Sequence, residues 1–140
     1  MLKISRTVRI EWGDCDPAGI VYFPNYFIMF DIGASALFEQ AVGMTKFQFL
    51  KAHNLVGYPL VEARANFLKP SRFGDDVIIE TAVTEIKRSS FSLQHRLTNQ
   101  GELAVEGFEK RVLVGRDPND PDKIKSSPIP PEVVARLSGR

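Results

Sequence analysis

Cysteine is scarce in this sequence. There is one in 140 residues, which excludes an internal disulfide framework and suits a reducing compartment. There is also no long run of Lys or Arg, and the formal net charge is +1, so the chain lacks the basic patch of a nucleic-acid-binding protein. Residues 1–9 carry charges without an apolar core segment, so we expect no signal peptide. These absences predict a cytoplasmic protein that binds no nucleic acid.

The residues that are present describe an ordinary globular domain. Hydrophobic residues make up 44% of the chain and charged residues 25%, and 140 residues are enough for one hydrophobic core. No internal repeat and no linker interrupts the pattern. The sequence therefore predicts a single domain over residues 1–140, with a peripheral polar tail from about residue 115.

The longest apolar segment, residues 25–42, predicts a buried helix. Pro24 favours a helix start because proline at the first helical position loses no hydrogen bond, and Gly43 is a natural helix end. A membrane span is not expected, because Asp31 near the middle would cost about 2.5 to 3.5 kcal/mol in a bilayer. A second, shorter helix is predicted to begin after Thr45.

Most of the remaining chain alternates between apolar and polar residues, as strands do. The predicted strands cover residues 6–12, 60–68, 77–86, 90–97 and 103–114, with Gly107 as a candidate bulge in the last one. Short connections between consecutive strands imply antiparallel pairing. Only a sheet is available to cover the long helix. The predicted fold class is therefore α+β, with a mostly antiparallel β-sheet wrapped around one long central α-helix.

The stretch from Asp14 to Tyr26 carries the candidate chemistry. Asp14 and Asp16 run into a Pro/Gly turn, and the backbone N–H groups around Phe23 lie at the predicted helix start, where they are unpaired and at the positive end of the helix dipole. A carboxylate close to free N–H donors suits acyl transfer. Asp16 also fits an Asx-turn, in which it bonds its own backbone, and the residues alone leave both interpretations open.

Other reactive side chains have simpler interpretations. Cys15 is a rival nucleophile, but no histidine lies near it in sequence, and a lone cysteine is more often a small buried apolar residue. His95 shares its strand face with apolar residues and is predicted to be a hydrogen-bonded core histidine, while His53 is predicted at a helix end. The clustered N and S ligands that zinc prefers are missing, so we expect no metal site and no bound cofactor.

With these residues laid out, the chain resembles the hotdog-fold acyl-CoA thioesterases, in particular the 4-hydroxybenzoyl-CoA thioesterase branch. The motif that carries the resemblance is Glu11-Trp12-Gly13-Asp14-Cys15-Asp16-Pro17-Ala18-Gly19-Ile20-Val21-Tyr22-Phe23-Pro24-Asn25-Tyr26. The resemblance implies that Asp16 is the catalytic carboxylate, as nucleophile or as general base for water. It also implies that the backbone N–H of Phe23, which stands where the branch has tyrosine, polarises the thioester carbonyl.

The same resemblance implies a coenzyme A phosphate site at a strand turn. That position maps to Lys87 and Arg88, and a further basic position of the branch is Ser89 here. With the hydroxyl of Ser90 these residues could form a phosphate cradle, or they could be a solvated hairpin end. Tyr22, next to the oxyanion donor, is the remaining expected substrate-binding residue.

The expected activity is hydrolysis of an acyl-CoA thioester to the free acid and coenzyme A, with a 4-hydroxybenzoyl-like aromatic acyl group as one candidate. Two alternatives stay open: a non-catalytic acyl- or CoA-binding hotdog protein, and a thioesterase acting on acyl carrier protein. The resemblance further implies a homodimer that pairs into a homotetramer, with active sites between subunits. Open sheet edges favour association on physical grounds as well.

Overall fold

All 140 residues are described by the computed structural model, which contains three α-helices and eight strands. In chain order the elements are β1 (Lys3–Arg9), α1 (Pro24–Val42), α2 (Lys46–Ala52), β2 (Leu55–Gly57), β3 (Leu60–Phe67), β4 (Asp76–Ile86), β5 (Ser90–Asn99), β6 (Glu102–Val112), β7 (Val114–Asp117), β8 (Asp120–Ser126) and α3 (Pro131–Leu137).

Five of the strands form one antiparallel sheet in the order β1-β4-β5-β6-β3. The connection between β5 and β6 is a tight hairpin turn, in which Gln100 and Gly101 have positive φ values of 52° and 77°. A smaller sheet contains β2, β7 and β8. The predicted α+β class, with a mostly antiparallel sheet around one long helix, is confirmed.

The central helix α1 begins and ends as predicted. Pro24 is its first residue, and Gly43 closes it in the left-handed conformation at φ 70°. The helix lies close to the sheet at Gly33, where a Cβ atom would lie 2.8 Å from Oγ1 of Thr81. Eight residues of α1 are buried, so the helix forms the axis of the core.

No single helix of the chain has both the length and the hydropathy of a membrane span, but α1 and α2 counted together across a 55° bend do.

Gly107 is not a bulge, which corrects one prediction. It pairs in regular register with both neighbouring strands, and the irregularity between β5 and β6 falls between Leu97 and Thr98 instead. The aromatic ring of Phe30 occupies the space over Gly107, where a Cβ atom would lie 2.5 Å from Cε2. The glycine is there because the helix side chain packs directly on the strand backbone.

The first strand ends earlier than predicted. It was expected to reach residue 12 with the indole facing the core, but it ends at Arg9, and Trp12 begins a 3₁₀ turn with 69% of its surface exposed. The cause is local capping: the carboxylate of Asp14 accepts a hydrogen bond from the N–H of Glu11 at 2.9 Å and closes the turn.

The end of the chain is not a peripheral tail. The strand predicted over 103–114 stops at Val112, and the chain then forms the β7–β8 hairpin and α3. The side chains of Ile129, Val133 and Leu137 are at most 5% exposed and belong to the larger core cluster. A polar composition masked this, because only a few apolar residues of the segment carry the packing.

Candidate active site

The motif that follows β1 folds into a small hairpin at one end of the sheet. Cys15 pairs with Val21, and the N–H of Asp16 donates to the carbonyl of Ile20 at 2.9 Å. Gly19 adopts φ 80°, which only glycine reaches without strain, and so allows the chain to reverse. The hairpin places the predicted catalytic carboxylate at its turn and leads the chain directly into α1.

The two aspartates of the motif make different hydrogen bonds. Asp14 is structural: besides capping the 3₁₀ turn, its carbonyl oxygen accepts from the N–H of Tyr22 at 2.9 Å and from Nδ2 of Asn25 at 2.8 Å. Asp16 makes the Asx-turn, because Oδ1 accepts from the N–H of Ala18 at 2.8 Å. The second carboxylate oxygen of Asp16 has no hydrogen-bond partner in the chain, so the turn and a chemical role are compatible.

The start of α1 supplies a free backbone donor. The N–H of Asn25 donates to Tyr22 and that of Tyr26 donates to Phe23, while Pro24 has no N–H. The N–H of Phe23 has no acceptor in the chain. Among residues 23–26 it is therefore the one amide left available, and it lies at the positive end of the helix dipole.

A groove of about 310 Å³ opens beside this donor. It lies between the start of α1 and the end of β3, and its walls are mostly apolar. The lining residues are Ile20, Val21, Phe23, Tyr26, Phe67, Leu68, Lys69 and Pro70. The groove can hold an apolar group whose polar end reaches the free N–H. Tyr22, predicted to bind substrate, lies outside this lining; it is 50% exposed and packs edge-on against Phe23.

A hydrogen-bonded loop over residues 71–75 lies before β4 and contacts the hairpin of the motif. The carboxylate of Asp75 accepts from the N–H of Arg72 at 2.8 Å and from Nδ2 of Asn99 at 2.9 Å, and these bonds hold the pKa of Asp75 below its usual value. The carbonyl of buried Ser71 accepts from the N–H of Val21 at 2.9 Å. The loop therefore ties the hairpin of the motif to the sheet.

Burial raises the pKa of Tyr26, although nearby Ser71 opposes the shift. This tyrosine is 4% exposed, so it serves as a neutral part of the groove floor.

The predicted phosphate cradle lies at the other end of the sheet. Lys87 and Arg88 are exposed at the turn between β4 and β5, and Nζ of Lys87 lies 3.1 Å from the carboxylate of Glu85. Asp16 lies near the start of β4, so the strand rise of roughly 3.3 Å per residue separates the two places by about 30 Å. One chain does not bring these residues to the same site.

The two serines of that turn act mainly through their backbone. The carbonyl of Ser89 accepts from the N–H of Leu113 at 2.8 Å, and that of Ser90 accepts from the N–H of Lys87 at 2.8 Å. Ser90 is 7% exposed, so its hydroxyl is largely shielded from solvent.

The cysteine and the two histidines occupy structural positions. Cys15 is half-buried, with Sγ 3.6 Å from the carbonyl oxygen of Glu11. His95 is fully buried, with Nδ1 2.8 Å from the hydroxyl of Thr81, which confirms the predicted core histidine. His53 caps the end of α2, as predicted.

Sequence reasoning missed two features, one in the groove and one in the interior. One is Phe67, which was assigned to a strand face without a role in the groove. The other is a buried ion pair between Glu109 and Arg111 on β6, whose exposed fractions are 7% and 3%. The signal for the second was available, because both residues share their strand parity with the apolar inner face of β6.

Comparisons with known proteins agree with this geometry. A family model described as the thioesterase-like superfamily matches residues 10–137. The chain is 33% identical over 141 residues to 4-hydroxybenzoyl-CoA thioesterase of Pseudomonas sp. strain CBS-3, covering 97% of this chain and 98% of the relative. The solved structure of that thioesterase gives a TM-score of 0.87 at 29% identity, covering 96% of this chain and 98% of the other.

Two further solved structures are similar. A mutant of 4-hydroxybenzoyl CoA thioesterase in which Asn replaces an Asp, complexed with 4-hydroxybenzoyl CoA, also gives a TM-score of 0.87 at 29% identity, with 96% and 98% of the two chains covered. A gentisyl-coenzyme A thioesterase is 34% identical with a TM-score of 0.79, covering 94% of this chain and 99% of the other. Fold and sequence thus point to the same group of proteins, and the predicted hotdog fold is confirmed.

Proposed function

Since the chain belongs to the thioesterase-like superfamily, we propose that it hydrolyses an acyl-CoA thioester to the free acid and coenzyme A, with Asp16 as the catalytic carboxylate. The observation that carries the proposal is one small hairpin that holds a carboxylate with a free oxygen and leads to a helix start with a free N–H. The similar proteins are named for 4-hydroxybenzoyl and gentisyl thioesters, so we propose an aromatic acyl group.

The proposed reaction starts with the acyl group in the groove and its carbonyl oxygen at the N–H of Phe23. Water, deprotonated by Asp16, adds to the carbonyl carbon, and the oxyanion of the tetrahedral intermediate is stabilised by the Phe23 N–H and the helix dipole. Collapse of the intermediate breaks the C–S bond. Coenzyme A leaves as the thiolate and takes the proton that Asp16 removed from water, which returns Asp16 to the carboxylate. The acid product then ionises by losing its proton to solvent.

Asp16 can also act as the nucleophile, with the same free oxygen attacking the carbonyl carbon to give a mixed anhydride that water then hydrolyses. Only this route passes through a covalent acyl-enzyme. Rapid quenching of a single turnover, followed by measurement of the intact protein mass, separates the two routes: an acyl adduct indicates the nucleophile and its absence indicates the general base.

Lys87 and Arg88 are proposed to bind the coenzyme A phosphates of a site whose Asp16 belongs to another copy. The separation of about 30 Å along β4 supports this arrangement, since both ends cannot serve one thioester within one chain. Two copies related by a twofold axis at β3 would run their sheets in opposite directions. The cradle end of one copy would then meet the groove end of the other.

The proposed assembly is a homodimer that pairs into a homotetramer in the cytoplasm. An unpaired edge supports the dimer, because β3 is hydrogen-bonded only to β6. Apolar side chains beside this edge and on the outer face of α1 are about half exposed: Val61 58%, Ile28 57% and Ile32 51%. Such an edge and face are usually covered in natural proteins. A monomer by light scattering at micromolar concentration would contradict this assembly.

The deciding experiment measures free-thiol release from a panel of aromatic and aliphatic acyl-CoAs with wild type and Asp16→Asn. The amide keeps the Asx-turn but cannot ionise, so turnover should fall by about 100- to 10,000-fold while acyl-CoA binding changes little. Asp122→Asn on the remote β8 strand is the matched control and should match wild type. Asp16→Asn activity within a few-fold of wild type would reduce Asp16 to a turn residue, and a wild type that binds acyl-CoA without releasing thiol would indicate a binding protein.

A further inference from the structure

We infer that Phe67 is the residue that selects an aromatic acyl group at this site, by presenting its exposed ring to the ring of the substrate. The inference rests on the proposed thioesterase function and adds a specificity-determining residue to it. Phe67 lies outside the motif at residues 11–26 and reaches the groove from β3, on the opposite wall.

The backbone of Phe67 is held firmly. Phe67 is the last residue of β3 and pairs with Val105 of β6. Directly after it, the N–H groups of Leu68 and Lys69 both donate to the carbonyl of Ala104, at 2.8 and 3.0 Å. The residues before and after Phe67 are therefore hydrogen-bonded to β6. These bonds fix the Cα position from which the ring extends.

The ring of Phe67 packs against three aromatic residues at the start of α1. Its centroid lies 5.7 Å from Tyr26, 6.3 Å from Phe23 and 6.4 Å from Phe27. Tyr26 and Phe67 are tilted by 38°, while the other two rings meet it edge to face. These separations lie within the range of favourable aromatic pairs, so the ring is oriented by contact from three directions.

Part of this ring remains free for a ligand. Phe67 is 48% exposed, whereas Tyr26 beside it is 4% exposed. The neighbouring Phe23 supplies both a groove wall and the free N–H that is proposed to bind the thioester carbonyl. An acyl group whose carbonyl reaches that N–H extends into the space bounded by Phe67, so the first ring of an aryl thioester meets the exposed part of Phe67.

An aromatic wall discriminates by geometry as well as by area. A flat aryl group can form an offset or edge-to-face pair with the ring, and an alkyl chain of similar area cannot form that pair. Replacing Phe67 with an aliphatic residue keeps an apolar wall and removes the aromatic pair with the substrate. The contacts of the ring with Phe23, Tyr26 and Phe27 are lost for both kinds of substrate, so they cancel in the ratio of the two. The expected loss of selectivity is about 2- to 12-fold, the ratio to which the energy of one aromatic pair corresponds.

The test compares kcat/KM for 4-hydroxybenzoyl-CoA and hexanoyl-CoA in wild type, Phe67→Leu and Phe67→Ile. Both variants should lower the aromatic-to-aliphatic ratio about 2- to 12-fold, with hexanoyl-CoA hydrolysis largely retained. Ile provides a second aliphatic side chain, suited to a strand, if Leu impairs folding. The matched control is Phe73→Leu, because Phe73 is 50% exposed on the Trp12 ring outside the groove and should leave the ratio unchanged.

Other results overturn the inference. An unchanged ratio in the folded variants, or an equal drop in the Phe73 control, would show that Phe67 does not select the acyl group. Thiol release by these proteins would still support the proposed function. A wild type that favours hexanoyl-CoA, or a variant that changes oligomeric mass by light scattering instead of the ratio, would also overturn the assignment. Failure of the proposed function is distinct, because wild type would then release thiol from neither substrate.

Discussion

The guanidinium of Arg111 lies in the core against the carboxylate of Glu109, two residues earlier on β6, with Nε 3.0 Å from Oε1. Residues two apart on a strand share one face, and here that face is the inner one. The same carboxylate oxygen lies 3.3 Å from Nε2 of His95, and Nη2 of Arg111 reaches Asp31 on α1 at 2.7 Å. The pair therefore ties the sheet to the central helix through charges in a largely apolar interior.

Replacing Glu109 with glutamine should lower the free energy of unfolding by about 3 kcal/mol. The substitution removes the negative charge of the buried pair and leaves Asp31, whose side chain is 58% exposed, as the remaining carboxylate partner of Arg111. Removing one charge of a buried pair costs roughly 3 to 5 kcal/mol. Urea denaturation measures the change. Glu106→Gln is the control, because Glu106 faces outward beside Arg96 and should cost at most about 1 kcal/mol. Equal losses in both variants would show that burial of the pair is energetically unimportant.

The contribution of Glu109 should disappear in acid. Burial alone would raise its pKa, but the hydrogen bonds and charges of His95 and Arg111 outweigh burial and hold the pKa below the ordinary value of 4.5. The folded state thus favours the carboxylate, so its stabilisation is present above about pH 4.5 and is lost as the pH falls through the lower folded value. The stability difference between wild type and Glu109→Gln should be constant at neutral pH and shrink below pH 4.5; a difference that grows in acid would reverse the assignment.

Gly107→Ala should destabilise the fold by about 1 to 3 kcal/mol, because the new methyl group must displace the packed ring of Phe30. Thermal or urea unfolding measures the loss. Adding Phe30→Leu to Gly107→Ala should recover part of it, since the smaller side chain gives the methyl group room. Gly57→Ala, where nothing lies within 4 Å of the new Cβ, is the control. A neutral Gly107→Ala variant would mean that Phe30 moves aside freely.

Lys87→Ala combined with Arg88→Ala should raise KM for acyl-CoA by about 2- to 30-fold and leave kcat nearly unchanged, if each exposed phosphate contact contributes about 0.2 to 1 kcal/mol. The reason is distance from the reacting carbonyl: contacts to the nucleotide stabilise the ground state and the transition state alike. Lys123→Ala with Lys125→Ala, on exposed β8, removes the same charge elsewhere and should leave KM unchanged. An unchanged KM in the folded Lys87/Arg88 variant would rule out the phosphate site.

Local signals in the sequence were enough to predict the central helix. Pro24 and Gly43 define its ends because their backbone preferences act within a few residues, and its apolar composition required a covering sheet. The strand periodicity around His95 was equally clear, since inner and outer residues alternate without interruption. The turn after Asp16 was predictable because Pro17 and Gly19 follow it directly in the sequence.

Features that depend on distant contacts were not predictable. Trp12 alternates as a strand residue would, and only the capping bond from Glu11 to Asp14 turns it outward. A glycine within a strand pattern, such as Gly107, indicates a bulge when only neighbouring residues are considered. Its actual role is to make room for the ring of Phe30 on α1. The groove forms where Phe67 at the end of β3 packs near the start of α1. The pattern of neighbouring residues does not show which strand end packs against which helix end.

The proposed oxyanion donor is a main-chain group at a position whose side chain also lines the groove. Every amino acid except proline carries a backbone N–H, so substitution at Phe23 leaves the donor in place while it reshapes the wall beside it. Under the proposed mechanism, replacements of Phe23 other than proline should therefore alter the acyl preference and retain the chemical step. The acyl preference and the oxyanion contact would then be separately mutable, although one residue contributes to both.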